Sequence, residues 1–255
     1  MAKSKVSGSD GVGGLTDGNP VSMMLVMNDS GVNPTSSLPT RNGCRLASSA
    51  VVRPILVRAE RAAASQVAPR FDAARIERAV REILAAIGED PEREGLRDTP
   101  ARVARSYREL FSGLHEDGAR HLARTFEHAG GELVLLRDIA FSSVCEHHLL
   151  PFFGRAHLAY LPGGGRVVGL SKLARTVESF ARRPQLQERL GAQIADALLV
   201  QGGARGATVV LEAEHLCLRL RGARSPAAAM KTITHRGLFA EDAVQRQEVL
   251  AALQR

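Results

Sequence analysis

Two short segments hold the side chains best suited to chemistry. Cys145-Glu146-His147-His148 puts a thiol, a carboxylate and two imidazoles into four residues, and His215-Leu216-Cys217 supplies another imidazole and thiol. Two residues separate Cys145 from His148, a spacing that lets one loop turn sulfur and imidazole toward a single ion. Zinc takes such ligands at about 2.0–2.3 Å in a tetrahedron. A third ligand must come from elsewhere, and Cys217 is the other cysteine of the well-patterned region. If residues 215–217 form a strand, His215 and Cys217 project to one face and Leu216 to the other. Two thiolates and one imidazole make three ligands, the number that leaves a fourth position for water in a catalytic zinc site. His147 and His215 then stand beside the ligands and suit acid–base work. Two further readings stay open. The site is a structural zinc with His147 or His215 as fourth ligand, or the cysteines are core thiols and the histidines satisfied polar groups.

These residues must be carried by elements that bring 145 and 217 together. Phe71, Ile76, Val80, Ile83, Leu84 and Ile87 recur at helical spacing. Thr99 suits an N-cap and Pro100 a first helical turn, with Val103, Leu110 and Phe111 continuing a second helix to about Gly113. From Glu132 the pattern turns to strand: Leu133–Leu136, Ile139 and Phe141, then Ala156–Leu161, a Pro162-Gly163-Gly164-Gly165 turn, and Val167-Val168. Ser171 caps a helix to about Arg183, and Pro184 starts another that ends at Gly202-Gly203. Residues 208–221 read as a strand pair or one long strand, and a final helix covers about 241–254. The order of helices, strands, two helices, strands and helix predicts an α+β chain, an antiparallel sheet packed on helices.

Residues 1–70 differ from the rest. They are rich in Gly, Ser, Asn and Pro without a sustained period, and read as a disordered N-terminal extension. The formal charge is +7, and eight Lys or Arg against four Asp or Glu place +4 of it in that segment. The remaining excess suits an anionic small substrate and is too scattered to argue for nucleic acid. No apolar run approaches the roughly 20 residues that span a bilayer, and no signal peptide is recognisable. Three cysteines do not describe a disulfide framework. The expectation is a cytoplasmic protein bound neither to membrane nor to nucleic acid.

Four segments, in order and with similar gaps, resemble GTP cyclohydrolase I. They are Cys145-Glu146-His147-His148-Leu149-Leu150-Pro151-Phe152, Gly169-Leu170-Ser171-Lys172-Leu173-Ala174-Arg175, Arg182-Arg183-Pro184-Gln185-Leu186-Gln187-Glu188-Arg189-Leu190, and Glu214-His215-Leu216-Cys217. Asp98-Thr99-Pro100-Ala101-Arg102-Val103 is similar to that family's helical N-terminal motif. The resemblance covers 71–255, with a helical part over 71–130 and a tunnelling-fold (T-fold) part over 131–255. It implies a homodecamer with pockets between subunits, GTP as substrate and zinc as cofactor. It implies Cys145, His148 and Cys217 as zinc ligands and His147 and His215 as catalytic. Glu188, helped by Gln187, would anchor guanine, and Ser171, Lys172, Arg175, Arg221 and Arg102 would bind the triphosphate. A carboxylate can accept both the ring N–H and the exocyclic amine of guanine, which selects it over adenine. Several cations offset a triphosphate, and arginine grips phosphate with two parallel bonds. A T-fold protein that binds purine or pterin without turnover is the alternative; it would be expected to lack a zinc ligand or the guanine carboxylate. Near the C-terminus, Lys231-Thr232-Ile233-Thr234-His235-Arg236-Gly237 departs from the family's run of small hydroxyl residues, most visibly at His235.

Overall fold

The computed structural model describes residues 71–254. The extension read over 1–70, with Cys44, lies outside the described residues. Two helices open the described part. Helix α1 (Ala73–Ala86) is capped by Asp72, whose carboxylate accepts from the Arg75 amide at 2.9 Å. In α2 (Thr99–Leu110) Pro100 sits in the first turn as expected, but Asp98 occupies the cap position rather than Thr99. Two 3-10 turns, Ser112–His115 and Gly118–Ala123, lead to the short strand β1 (Thr125–Glu127).

The long strands β2 (Val134–Cys145) and β3 (Pro151–Leu161) follow, antiparallel and joined by the turn that holds Glu146, His147 and His148. Strand β4 (Arg166–Val168) pairs with β1, and α3 (Leu170–Ala181) runs from it. Pro184 does not start a helix. Pro184–Gln185 forms a two-residue strand, β5, parallel to the end of β2, so that Cys145 lies opposite Gln185. Proline is tolerated there because β5 is an edge, where a missing N–H costs no ladder bond. Helix α4 (Gln187–Val200) begins only after it.

Strand β6 spans Gly206–His215, and the chain then turns through a short helix, α5 (Leu216–Arg219). Cys217 is therefore not on a strand, and the expectation that His215 and Cys217 share a strand face is corrected. Strand β7 (Met230–Gly237) was not foreseen. It is an edge strand, half-exposed on both faces, so its apolar alternation is weak, although Thr232, Ile233 and Thr234 favour extended backbone. Short α6 (Leu238–Glu241) and α7 (Ala243–Gln254) end the described part.

The main sheet has the order β5-β2-β3-β6-β7, antiparallel except for β5. Alternation puts Phe152, Ala156, Leu158 and Tyr160 of β3 and Val209 and Leu211 of β6 on one face. There they meet Leu173 and Val177 of α3 and Leu190, Ile194 and Leu198 of α4. On the other face Ala159 and Val210 pack with Phe239, Val249 and Leu253. A cavity beside that second cluster is lined by charged groups that pair with each other, Arg155 with Asp138 at 3.8 Å and Lys231 with Glu212 at 2.6 Å. The α+β arrangement is as expected from the sequence. Among the described residues no helix is long and apolar enough to cross a membrane.

Candidate metal and substrate site

Strand β2 carries Cys145 to the end of the sheet, where it is 5% exposed. The chain reverses at once. The amides of His148 and Leu149 both donate to the Cys145 carbonyl, and Leu149 takes a left-handed φ of 52°. This tight turn brings His148 Nδ1 to 4.0 Å from Cys145 Sγ. Helix α5 brings Cys217 from the other side, and the ligand atoms of Cys145, His148 and Cys217 all lie within 4.8 Å of one another. In a zinc tetrahedron with bonds of 2.0–2.3 Å the ligand atoms are about 3.3–3.8 Å apart. Two sulfurs and one imidazole nitrogen fit such an ion in kind and number, and the group needs only a small contraction to reach its spacing. The group that meets this distance comprises these three; His147 and His215 stand outside it.

Arg221 donates to His148 Nε2, which leaves Nδ1 as the nitrogen facing Cys145. Burial, then the charges of Arg221 and His147, hold His148 below the ordinary histidine range. Burial and the neighbouring Cys145 push the Cys217 thiol up, so the Cys217 sulfur is a poor anion until a cation compensates it.

His215 ends β6 and stacks flat on Phe152, with ring centroids 4.5 Å apart and planes 5° from parallel. Its Nε2 lies 2.8 Å from Gln187 Oε1. Gln187 is fully buried, and its amide nitrogen donates toward the Leu211 and Met230 carbonyls and the Thr232 hydroxyl at 3.0, 3.1 and 3.2 Å. With the amide nitrogen so placed, the oxygen must face His215. His215 therefore carries its proton on Nε2 and keeps Nδ1 as acceptor. Burial lowers its pKa, and the nearby Glu188 opposes that shift. Glu188 itself is exposed on the first turn of α4. His147 is exposed, its ring edge-on to His148 at 6.2 Å.

The structure thus brings Cys145, His148, Cys217, Arg221, His215, Gln187 and Glu188 to one end of the sheet. It does not bring Ser171, Lys172 and Arg175 there. Ser171 and Lys172 lie in the first turn of α3, and Arg175 near the middle of this helix of 12 residues, about 17 Å long, whose far end leads to β5 beside Cys145. Arg175 lines a cavity with Ile139 to Ser142 of β2. Arg102 is on α2 and pairs with Asp98 at 3.2 Å.

Around Ser171 and Lys172 the sequence reading missed three basic residues. Arg120, His121 and Arg124 line the same cavity, and Arg120, His121 and Arg175 line its neighbour. Burial, then Arg120, and also Arg175 and Lys172, depress the pKa of His121 against the opposing effect of Glu116. The clustering of Arg120, His121 and Arg124 within five residues was the available signal. Arg189 was missed as well. It forms a two-pronged pair with Glu146 at 2.5 and 2.9 Å.

A sequence profile of the GTP cyclohydrolase I family matches residues 76–254. The chain is 56% identical over 182 residues to GTP cyclohydrolase 1 of Carboxydothermus hydrogenoformans, covering 71% of this chain and 95% of that one. It is 56% identical over 180 residues to GTP cyclohydrolase 1 of Bacillus subtilis, with the same coverage of 71% and 95%. It is 54% identical over 196 residues to GTP cyclohydrolase 1 of Mycolicibacterium gilvum, covering 76% and 97%. With its α+β tunnelling fold and its Cys-His-Cys group, the chain belongs to the GTP cyclohydrolase I family.

Proposed function

We propose that this protein is a zinc-dependent GTP cyclohydrolase I. It hydrolyses GTP at C8 to formate and 7,8-dihydroneopterin 3'-triphosphate, the first step of tetrahydrofolate and pterin biosynthesis. The observation that carries the reading is the meeting of Cys145, His148 and Cys217 in a chain of this family, with two histidines and an exposed carboxylate beside them. Cys145, His148 and Cys217 would hold the ion. When bound, zinc supplies Lewis acidity, which brings the ionisation of water toward about pH 7.

The protein's own groups do the rest. Glu188 accepts the ring N–H and exocyclic amine of guanine, which fixes the base and its orientation. A water adds across C8=N7, its oxygen to C8 and a proton to N7; His215, held by Gln187 with Nε2 protonated, then accepts the C8 hydroxyl proton at Nδ1 and delivers it to N9 as the C8–N9 bond breaks, which leaves a formyl group on N7. His147, exposed on the same turn, is the second proton-transfer group. A second water then releases C8 as formate, and the ribose carbons close on the exposed amines to form the pterin ring.

Ser171, Lys172, Arg175, Arg221 and Arg102 bind the triphosphate, aided by the basic residues around His121. Because α3 holds Ser171 and Lys172 a helix length from the metal ligands of their own chain, this set is supplied in part by a neighbouring subunit of a homo-oligomer, a decamer by family resemblance. Cytoplasmic residence fits the unpaired Cys145 and Cys217, which a reducing compartment preserves. Incubating the purified protein with GTP tests the proposal. Formate and, after oxidation, a fluorescent pterin should appear in step with GTP loss. A zinc-loaded oligomer that leaves GTP intact would sink it.

A further inference from the structure

The first three residues of α4 point three different ways. Gln187 reaches inward to His215, Glu188 stays exposed, and Arg189 crosses to Glu146 in the turn between Cys145 and His147. The Arg189 fork donates one nitrogen to each carboxylate oxygen of Glu146, at 2.5 and 2.9 Å. Such two-pronged pairs restrict orientation as well as distance. The same turn is tied to the approach of α4 once more, because the Glu146 amide donates to the Gln185 carbonyl at 3.1 Å. The backbone bond holds the turn at a set separation, and the side-chain fork adds a directional tie between the turn and α4 itself.

We propose that the Glu146–Arg189 pair is a positioning device for the reaction. It sets the orientation of the metal-ligand turn relative to the Glu188 carboxylate, so that a base held by Glu188 presents C8 to the metal. The inference rests on the reading of Glu188 as the guanine anchor. Both side chains keep solvent contact, 44% exposed for Arg189 and 28% for Glu146. A pair this exposed adds little to folding stability. Its loss should therefore appear in turnover and not in melting.

The test is a double-mutant cycle on the zinc-loaded oligomer with Glu146→Gln, Arg189→Met and both together, plus Arg189→Lys. Formate release from GTP, zinc per chain, oligomer size and melting temperature are measured for each. Each single variant should lose between about 10-fold and 100-fold in kcat, as a sub-ångström to ångström misplacement of reacting groups does. The KM for GTP, zinc content and melting should stay near wild type. The double variant should be no worse than the poorer single, because both remove one interaction. Arg189→Lys should fall in between, since it keeps the charge and loses the fork. Wild-type kcat in both singles, or losses that simply multiply in the double, would overturn the proposal. So would zinc loss or melting in proportion to the lost activity, which would make the pair a structural tie. If Arg189→Met does not fold, Glu146→Gln and Arg189→Lys complete the same cycle. A wild-type protein that releases no formate from GTP removes the proposed function, and this inference with it.

Discussion

Cys145, His148 and Cys217 and the two adjacent histidines call for different outcomes on substitution, because they touch different things. Cys145→Ser, His148→Ala and Cys217→Ser each leave two ligands, too few to retain zinc well. Metal analysis should find those variants depleted and turnover down by at least about 100-fold. His215→Ala and His147→Ala should keep zinc and bind GTP while turnover falls by about 100-fold or more. Zinc loss in either histidine variant would point to the four-ligand structural site instead. Gln187 offers a sharper case. Gln187→Leu would strip partners from the buried Leu211 carbonyl, the half-buried Met230 carbonyl and His215 Nε2. An unsatisfied buried group costs about 1–3 kcal/mol. The variant should melt earlier by calorimetry and also turn over slowly, because His215 is no longer held in one tautomer.

At the scale of elements, the unforeseen strand β7 has a consequence for pH. His235 on β7 lies opposite Thr208 of β6, with its Nδ1 2.9 Å from the Thr208 hydroxyl. Burial, then the charge of Arg246 on α7, lower its pKa. A histidine depressed in the folded state binds fewer protons there than in the unfolded chain. Stability is therefore unaffected well above pH about 6.5, the unfolded value, and falls as pH drops through 6.5 toward the folded value. His235→Asn should flatten the acid side of a melting-temperature profile between neutral pH and mildly acid pH. An identical slope in wild type and variant would remove His235 as a source. The departure of this segment from the family's small hydroxyl residues was visible in the sequence. That His235 would end up between two strands and a helix was not.

At the scale of the whole molecule, the separation of α3's start from the metal ligands leads to a mixing experiment. Cys217→Ser is co-refolded in turn with Arg102→Ala, Lys172→Ala and Glu188→Ala. If a pocket draws on two chains, some mixed pockets contain both intact groups, and activity returns in at least one pairing. Lys172 is a strong candidate, because it sits in the first turn of α3, nearly a helix length from the end that leads to its own Cys145. If every mixture stays as inactive as its parents although mixed oligomers form, the site comes from one chain. The segment 1–70 lies outside all of this on compositional grounds, since it has too little periodic apolar sequence to supply a core. Its removal should leave turnover and oligomer size close to those of the full chain; misassembly of the shortened protein would move the domain boundary toward the N-terminus.

The sequence by itself determined the chemistry on offer. Cys145-x-x-His148, Cys217 and the flanking His147 and His215 were legible because ligand identity and local spacing are properties of the chain. The α+β class and most helices were legible for the same reason, since a 3.6 or 2.0 residue period is local. The tertiary structure decided what local pattern does not carry. Cys217 meets Cys145 from a helical turn, not a strand, because the chain bends after His215. Gln187 faces His215 and Arg189 faces Glu146 because β5 pairs with the end of β2 and sets where α4 begins. Ser171 and Lys172 stand away from Cys145 because a rigid helix of fixed length lies between. Each of these is a contact between residues far apart in the chain or a distance set by packed elements, and no short window of sequence contains either.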